Sequence, residues 1–368
     1  MLISIFFLVS TFLSQARAFY SLTQSSHRIS TRRQALNPVN NAIDSLIERV
    51  SPKPRVQLPA NFVRPEPKPL TITRTSDIPS ILKSALALGL RLGTGVFVLG
   101  WKLEYVQLSF PWDTTTTTSI PHSSSPTQYS LAIGPLRFRD TSSVLDQAPR
   151  PAQPLILYEY DASPYCRRVR EIFQLLDVPV ELRPCPSARQ SSFSNDLFKR
   201  TGRRTVPYLI DHNTGVEMFE SGDQIDYLIN TYGPPKDLYD VKALWPITLL
   251  DFSIVTSTYA AILRNLPGTS RQANARSDNE KMKPLQLYGY EVSPFVRPVR
   301  EKLEALCLPH VLIPCSRGSK NRDLLVQNMK PQFQVPFLVD PNTGIEIFDS
   351  AEICEYFDAV YTVSYPLK

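Results

Sequence analysis

One stretch of this chain is written twice. Leu157 to Glu171 reads LYEYDASPYCRRVRE, and 130 positions on, Leu287 to Glu301 reads LYGYEVSPFVRPVRE. The spacing holds through Pro179/Pro309 and Cys185/Cys315. One residue is then lost, so Val206-Pro207 answers Val335-Pro336 and Ser221 answers Ser350. A repeat this long decides the architecture before any single element is read, because each copy must fold as the same unit. It also supplies the natural division of 368 residues, more than one ordinary domain holds.

In the first copy, Pro154–Tyr160 has the apolar density of a buried strand. Pro164 opens a helix at the position where its missing N–H does no harm. Val169, Ile172, Phe173 and Leu176 then recur at helical spacing on one face. Val180–Arg183 is a second strand, parallel to the first because a helix joins them. A polar helix near Ser192–Thr201 follows, then a strand at Tyr208–Asp211, a turn at His212–Gly215 and a returning strand at Val216–Phe219. Glu220-Ser221 starts a last helix that runs through Tyr232, the serine oxygen being able to accept from an unpaired backbone N–H. The order is βαβαββα, and the second copy repeats it with Asp340–Gly344 as its turn.

The flanks read differently. Residues 1–18 suit a signal peptide: an apolar run from Met1 to Leu13, then Ala16-Arg17-Ala18 with the small-residue spacing of a cleavage site. From Phe19 the chain is rich in Ser, Thr and Arg, with no acidic residue until Asp44, as transit peptides are; residues 19–77 are read as transit peptide and disordered linker. That two-part leader resembles the plastid address of algae with secondary plastids, so the expected location is the plastid, with ordinary secretion as the alternative. Residues 78–110 form an apolar helical segment. Ile78–Trp101 is either a membrane contact or a helix packed on the repeats, and Arg91 in its middle would cost about 2.5–3.5 kcal/mol inside a bilayer. Residues 111–153 are a low-complexity linker, threonine- and serine-rich at Thr114–Thr127, with one short strand in its second half. The modules occupy residues 154–233 and 284–361. The 234–283 linker between them holds one apolar helical stretch, Trp245–Leu263, with Asp251 inside it, and a polar tether.

Composition excludes several classes. Five cysteines are too sparse and badly spaced for a disulfide scaffold, and four scattered histidines give no metal-ligand spacing, so no metal is expected. A net charge of +6 without a lysine-rich, aromatic-studded face gives no expectation of nucleic-acid binding.

The strand-to-helix turn with Ser-Pro and an aromatic residue, Val-Pro before the third strand and an acid-Ser pair at the last helix, in that order and twice over, resemble the N-terminal domain of glutathione transferases. Glutaredoxins are similar, and so are tandem-module plastid proteins of plants and algae. The resemblance implies an α/β fold of two tandem thioredoxin-like domains, each with a mixed four-stranded sheet, behind a disordered N-terminal region. It implies glutathione as ligand or co-substrate. Ser163 and Ser293 would then donate to the ligand sulfur. The backbone of Val206 and Val335, each before a cis proline (Pro207, Pro336), would pair with its cysteinyl unit. Glu220-Ser221 and Asp349-Ser350 would hold the γ-glutamyl end. Tyr160 and Tyr290 are alternative hydroxyl donors.

Ser163-Pro-Tyr-Cys166 differs from the glutaredoxin Cys-Pro-Tyr-Cys at the attacking residue, and the second copy has Val296 in place of Cys166. Dithiol glutaredoxin activity is therefore not expected; Cys166 is either a lone thiolate or an inert buried thiol. Cys185 and Cys315 suit structural turns. Arg167, Arg168, Arg170, Arg297 and Arg300, on the first turns of helices, face either an acidic ligand or solvent. Two functions follow: a glutathione transferase-like or thiol-dependent enzyme acting on a small thiol or electrophile, or a non-catalytic module pair for protein binding, regulation or assembly. The helical domain that completes the co-substrate pocket of transferases has no counterpart in the chain, so that pocket would form between modules or with another subunit.

Overall fold

The computed structural model describes residues 78–107, 131–133, 136–239, 244–329 and 334–363. The expected leader at 1–18 and 19–77 and the stretch Thr114–Thr127 lie outside the described residues. The chain opens with helix α1 (Ile78–Leu90). A small antiparallel sheet follows, order β1-β3-β2, from β1 (Lys102–Gln107), β2 (Leu131–Ile133) and β3 (Leu136–Thr141). The apolar segment is thus not helical to its end. Leu92, Gly93 and Gly95 all have positive φ, which turns the chain out of the helix.

The first module is β4 (Leu155–Glu159), α2 (Pro164–Leu175), β5 (Val180–Pro184), α3 (Ser192–Thr201), β6 (Tyr208–Asp211), β7 (Val216–Met218) and α4 (Ser221–Tyr232). The apolar linker stretch breaks at Leu249 into α5 (Trp245–Thr248) and α6 (Leu250–Ile262). The second module is β8 (Leu285–Gly289), α7 (Val296–Ala305), β9 (His310–Pro314), α8 (Lys320–Met329), β10 (Phe337–Asp340), β11 (Ile345–Phe348) and α9 (Ser350–Tyr361). Both modules are thioredoxin-like. In each the first two strands are parallel, and the last two pair antiparallel beyond the first.

The four-stranded sheets do not stay separate. Their second strands, β5 and β9, pair antiparallel, giving one eight-stranded sheet in the order β11-β10-β8-β9-β5-β4-β6-β7. Glu181 lies opposite Val311, its own equivalent in the repeat. The modules are therefore related by a pseudo-twofold axis through that pair. Val169, Ile172 and Phe173 on α2 and Leu176 at its C-cap are buried as the spacing requires, in one core that spans both modules. Each module closes with the same polar knot. Tyr227 and Tyr232 donate to Asp211 at 2.7 and 2.5 Å, and Tyr356 and Tyr361 both donate to Asp340.

The duplication extends beyond the modules. At an offset of 173, α1 answers α6, and Arg91 answers Arg264. Leu92, Gly93 and Gly95, all with positive φ, answer Asn265, Leu266 and Gly268, also all positive. Gly93 N–H bonds Leu88 O at 3.1 Å, as Leu266 N–H bonds Ala261 O at 2.9 Å. Each unit is thus a helix, a turn and a module.

Candidate functional site

Each module's Ser-Pro turn follows its first strand at the tip of its first helix. Ser163 is extended, and its hydroxyl accepts from Cys166 N–H at 3.2 Å; Ser293 accepts from Val296 N–H at 3.3 Å. Both serines keep their own hydroxyl proton to donate, and both are buried, 2% and 1% exposed. Tyr160 and Tyr290 lie beside them. Burial pushes both phenols above their ordinary range, so neither is a ready phenolate.

Both turns are roofed by the segments that follow α1 and α6. Over the first, Ala162 N–H donates to Pro267 O at 2.9 Å, and Ala188 N–H and the Ser187 hydroxyl donate to Thr269 O at 3.0 and 3.1 Å. A side chain at Gly268 (φ +74) would put its Cβ 2.9 Å from Asp161 N, so this crossing needs glycine. Over the second, Arg317 N–H donates to Val96 O, Val98 N–H to Arg317 O and the Ser316 hydroxyl to Gly95 O, at 2.7–2.9 Å. The expected polar tether is instead an ordered strap, fixed because its carbonyls satisfy the backbone N–H groups of the loop it crosses.

Val206-Pro207 and Val335-Pro336 are both cis. In the first module the Gln224 amide donates to Pro207 O and Met218 O, both at 3.0 Å, tying the proline loop to α4. Glu220 and Asp349 are the N-caps of α4 and α9, with φ of +64 and +72. The serine cap expected at Glu220-Ser221 is therefore one residue out, since Ser221 and Ser350 already lie inside their helices. The two clasps also differ. Asp349 is half-buried and accepts from Ala351 N–H at 3.0 Å, whereas Glu220 is exposed and makes no cap bond. Val206 is half-buried, but Val335 is buried.

Arg168 is the residue that sequence reasoning failed to place. Its Nη1 donates to Ser221 Oγ at 3.3 Å, while Nε and Nη2 grip Ile247 O at 3.1 and 2.9 Å. The linker thus holds a guanidinium against the first clasp. The repeat carried the signal, because the matching position is Pro298. Arg168 together with Gln224 brings the helix tip, the proline loop and the start of α4 to one place. Asp251 is exposed on α6.

The other arginines face neither ligand nor solvent. Arg170 bonds Glu159, Asp161 and Glu291; Arg300 bonds Glu291 and Asp161, and all five are fully buried. Asp161 and Glu291 are equivalents, as are Arg170 and Arg300, so four charges close a ring across the pseudo-twofold axis. Arg91 reaches Glu171 and Arg264 reaches Glu301, again as equivalents. Burial and the neighbouring Arg297 charge lower Arg167 to about 10. Burial, then the charge of Glu159, raises Glu304 well above the ordinary carboxyl range.

No disulfide joins any of the five cysteines. Cys166 is fully buried, and desolvation with the nearby Glu159 charge pushes its thiol up to about 12, so it is protonated at neutral pH. Cys185 is raised likewise, chiefly by burial. Cys185 N–H and Cys315 N–H bond Glu159 O and Gly289 O at 2.6 and 2.8 Å, extending the parallel ladders by one residue. Among the described residues no cluster of His, Cys, Asp or Glu is arranged to hold a metal.

Two stretches, residues 157–236 and 287–363, match the family model described as the N-terminal domain of glutathione S-transferase. No curated protein matches the chain. Among solved structures, Bombyx mori glutathione transferase BmGSTD1, in complex with GTT, is 28% identical (TM-score 0.23), covering 25% of this chain and 42% of its own. An epsilon-class glutathione S-transferase from the housefly, Musca domestica, is 27% identical (TM-score 0.21), covering 25% and 41%. The trimeric glutathione transferase TDR1 of Leishmania is 15% identical (TM-score 0.20), covering 59% and 69%. The chain spans less than half the length of the two insect enzymes. Fold and matched stretches together make this a tandem thioredoxin-like protein whose modules resemble the N-terminal domain of glutathione transferases.

Proposed function

We propose that this is a glutathione-binding protein with one working cradle, in the first module. The observation that carries the reading is the asymmetry of the two clasps. In the first, a guanidinium and a hydroxyl sit together beside an exposed acid, which suits a ligand end bearing both a carboxylate and an amine. In the second, proline replaces the guanidinium and one oxygen of the acid already caps its own helix. The Ser163 hydroxyl and the tip of α2 would favour a thiolate. Ser163 is buried next to Ala162, whose N–H bonds Pro267 O in the strap, so the ligand sulfur would reach it only with that bond released.

Where the described residues of the two modules meet, β5–β9 pairing and a closed ring of buried charges make the contact. That favours the binding-module reading over the transferase. The test is calorimetric titration of the full chain with glutathione, combined with an assay of a general electrophile. We expect one site, weakened about tenfold (~1.4 kcal/mol) by Arg168→Met, weakened by Ser163→Ala and unaffected by Ser293→Ala, without turnover. No binding overturns the ligand, two equivalent sites overturn the asymmetry, and turnover restores the transferase.

A further inference from the structure

Helices α1 and α6 pack on each other inside out. The side chains they bury are small: Ser84 and Ala87 on α1, and Ser253, Ser257, Ala260 and Ala261 on α6. The side chains they leave outside are large and apolar. Leu82 and Leu86 on α1 are 63% and 56% exposed; Val255, Tyr259 and Ile262 on α6 are 52–59% exposed. These fall at i, i+4 and i, i+4, i+7, so each helix carries a continuous apolar stripe on its outer side. Leu82/Val255 and Leu86/Tyr259 are equivalents at the offset of 173, so the duplication has kept the outward stripe along with the helix. A water-facing helix pair shows the opposite order, large apolar residues inside and polar ones out. Small residues at the helix contact with large apolar residues outward is the arrangement of helices surrounded by hydrocarbon.

Charge and length narrow the occupant. The only charged side chains on the two helices, Lys83 and Asp251, are both exposed and of opposite sign, with Asp251 at the N-terminal end of the α6 stripe, so the face has no net charge to offer a charged partner. Trp245, 45% exposed, stands at the entry to the pair, and Tyr259 lies on it; both residue types favour a membrane–water boundary. The flanking Ile78, Leu249, Leu250 and Leu266 are also exposed, so large apolar residues continue past the ends of both stripes. No helix among the described residues is long and apolar enough to cross a membrane, so a lipid contact here lies in the plane of the bilayer.

We propose that the α1–α6 pair is a docking face for the surface of a lipid bilayer, its outer stripe seated at the headgroup–acyl boundary. The pair is fixed to the body at both ends of the duplication. Arg91 joins Glu171 and Thr256, and Arg264 joins Glu301 and Ser80, so the modules ride on the face as one piece.

The test is flotation of the full chain with phosphatidylcholine vesicles, at low salt and at about 0.5 M salt, where surface electrostatics are screened. We expect most of the protein to float at both, and Leu82→Glu/Val255→Glu to cut the floated fraction at least tenfold with an unchanged melting curve. The proposal fails if the wild type stays with the sediment, if the variant still floats, or if binding needs anionic lipid. It also fails if sedimentation equilibrium shows a wild-type dimer that the same substitutions convert to monomer without any vesicle binding. The face would then serve a second copy.

Discussion

Consider Arg300→Met. Arg300 is fully buried and bonds two carboxylates, Glu291 of its own module and Asp161 of the other, both with no exposed side-chain surface. Methionine has nearly the right shape but no charge. The variant leaves two buried carboxylates to share Arg170, whose guanidinium already serves Glu159 as well, with a longer contact of 3.6 Å from Arg297 to Asp161 beside it. Breaking a buried ion pair by removing one partner costs about 3–5 kcal/mol, because the remaining charge stays desolvated. At roughly 2–4 °C per kcal/mol for a body of this size, the melting temperature should fall by about 10 °C or more. Because the ring belongs to both modules, the wild type should melt in one calorimetric transition. The informative comparison is a double-mutant cycle with Glu291→Gln. Removing the acid after its cation is gone should cost far less than removing it alone, giving a coupling of 2 kcal/mol or more. A loss below about 1 kcal/mol for Arg300→Met, or additive single and double variants, would refute the claim that these charges act as a closed unit.

Two further outcomes follow from burial. In the native protein at pH 7, iodoacetamide should leave Cys166 unmodified, since its thiol is raised to about 12 and has no exposed surface, while half-buried Cys354 reacts first. Peptide mass mapping that finds Cys166 labelled within minutes without unfolding would restore the lone-thiolate reading. His310 is fully buried and lowered to about 3, by desolvation first, while Nδ1–H bonds Leu308 O at 3.0 Å. Its folded value lies below the unfolded one, so the unfolded chain binds the extra proton between about pH 6.5 and 3. Its contribution is full above pH 6.5 and declines by up to about 1.4 kcal/mol per pH unit on acidification. Urea titrations at pH 7 and pH 5 should therefore show a smaller loss for His310→Gln than for the wild type, and an equal loss would sink the argument.

The modules were legible because their signals are local. Ser-Pro, Val-Pro and the acid-Ser pair punctuate the chain where backbone geometry demands them, and the apolar spacing on α2 is short-range. The ring was not legible. Arg170 finds Glu291 at a sequence separation of 121, and nothing near Arg170 distinguishes a buried arginine from a surface one. The same limit hid Arg168, whose anchor, Ile247, belongs to the linker. The second duplication escaped for another reason: its identities, among them Ser80/Ser253, Ser84/Ser257, Ala87/Ala260, Arg91/Arg264 and Gly95/Gly268, fall at an offset of 173 rather than 130, so they do not line up with the module repeat. Gly93 answers Leu266 with the same sign of φ, so the backbone keeps the repeat even at positions where the residues differ.

Joining two modules by their second strands has a topological consequence. A lone thioredoxin-like unit of this kind ends its sheet on an open ladder, and an open ladder recruits strands from whatever chain is nearby. Here each copy is the other's edge cover, Val180 to Leu182 against His310 to Leu312. Severing the chain in the linker would therefore not release two small proteins. The two halves would stay joined along β5 and β9, since each would otherwise leave a complementary ladder open.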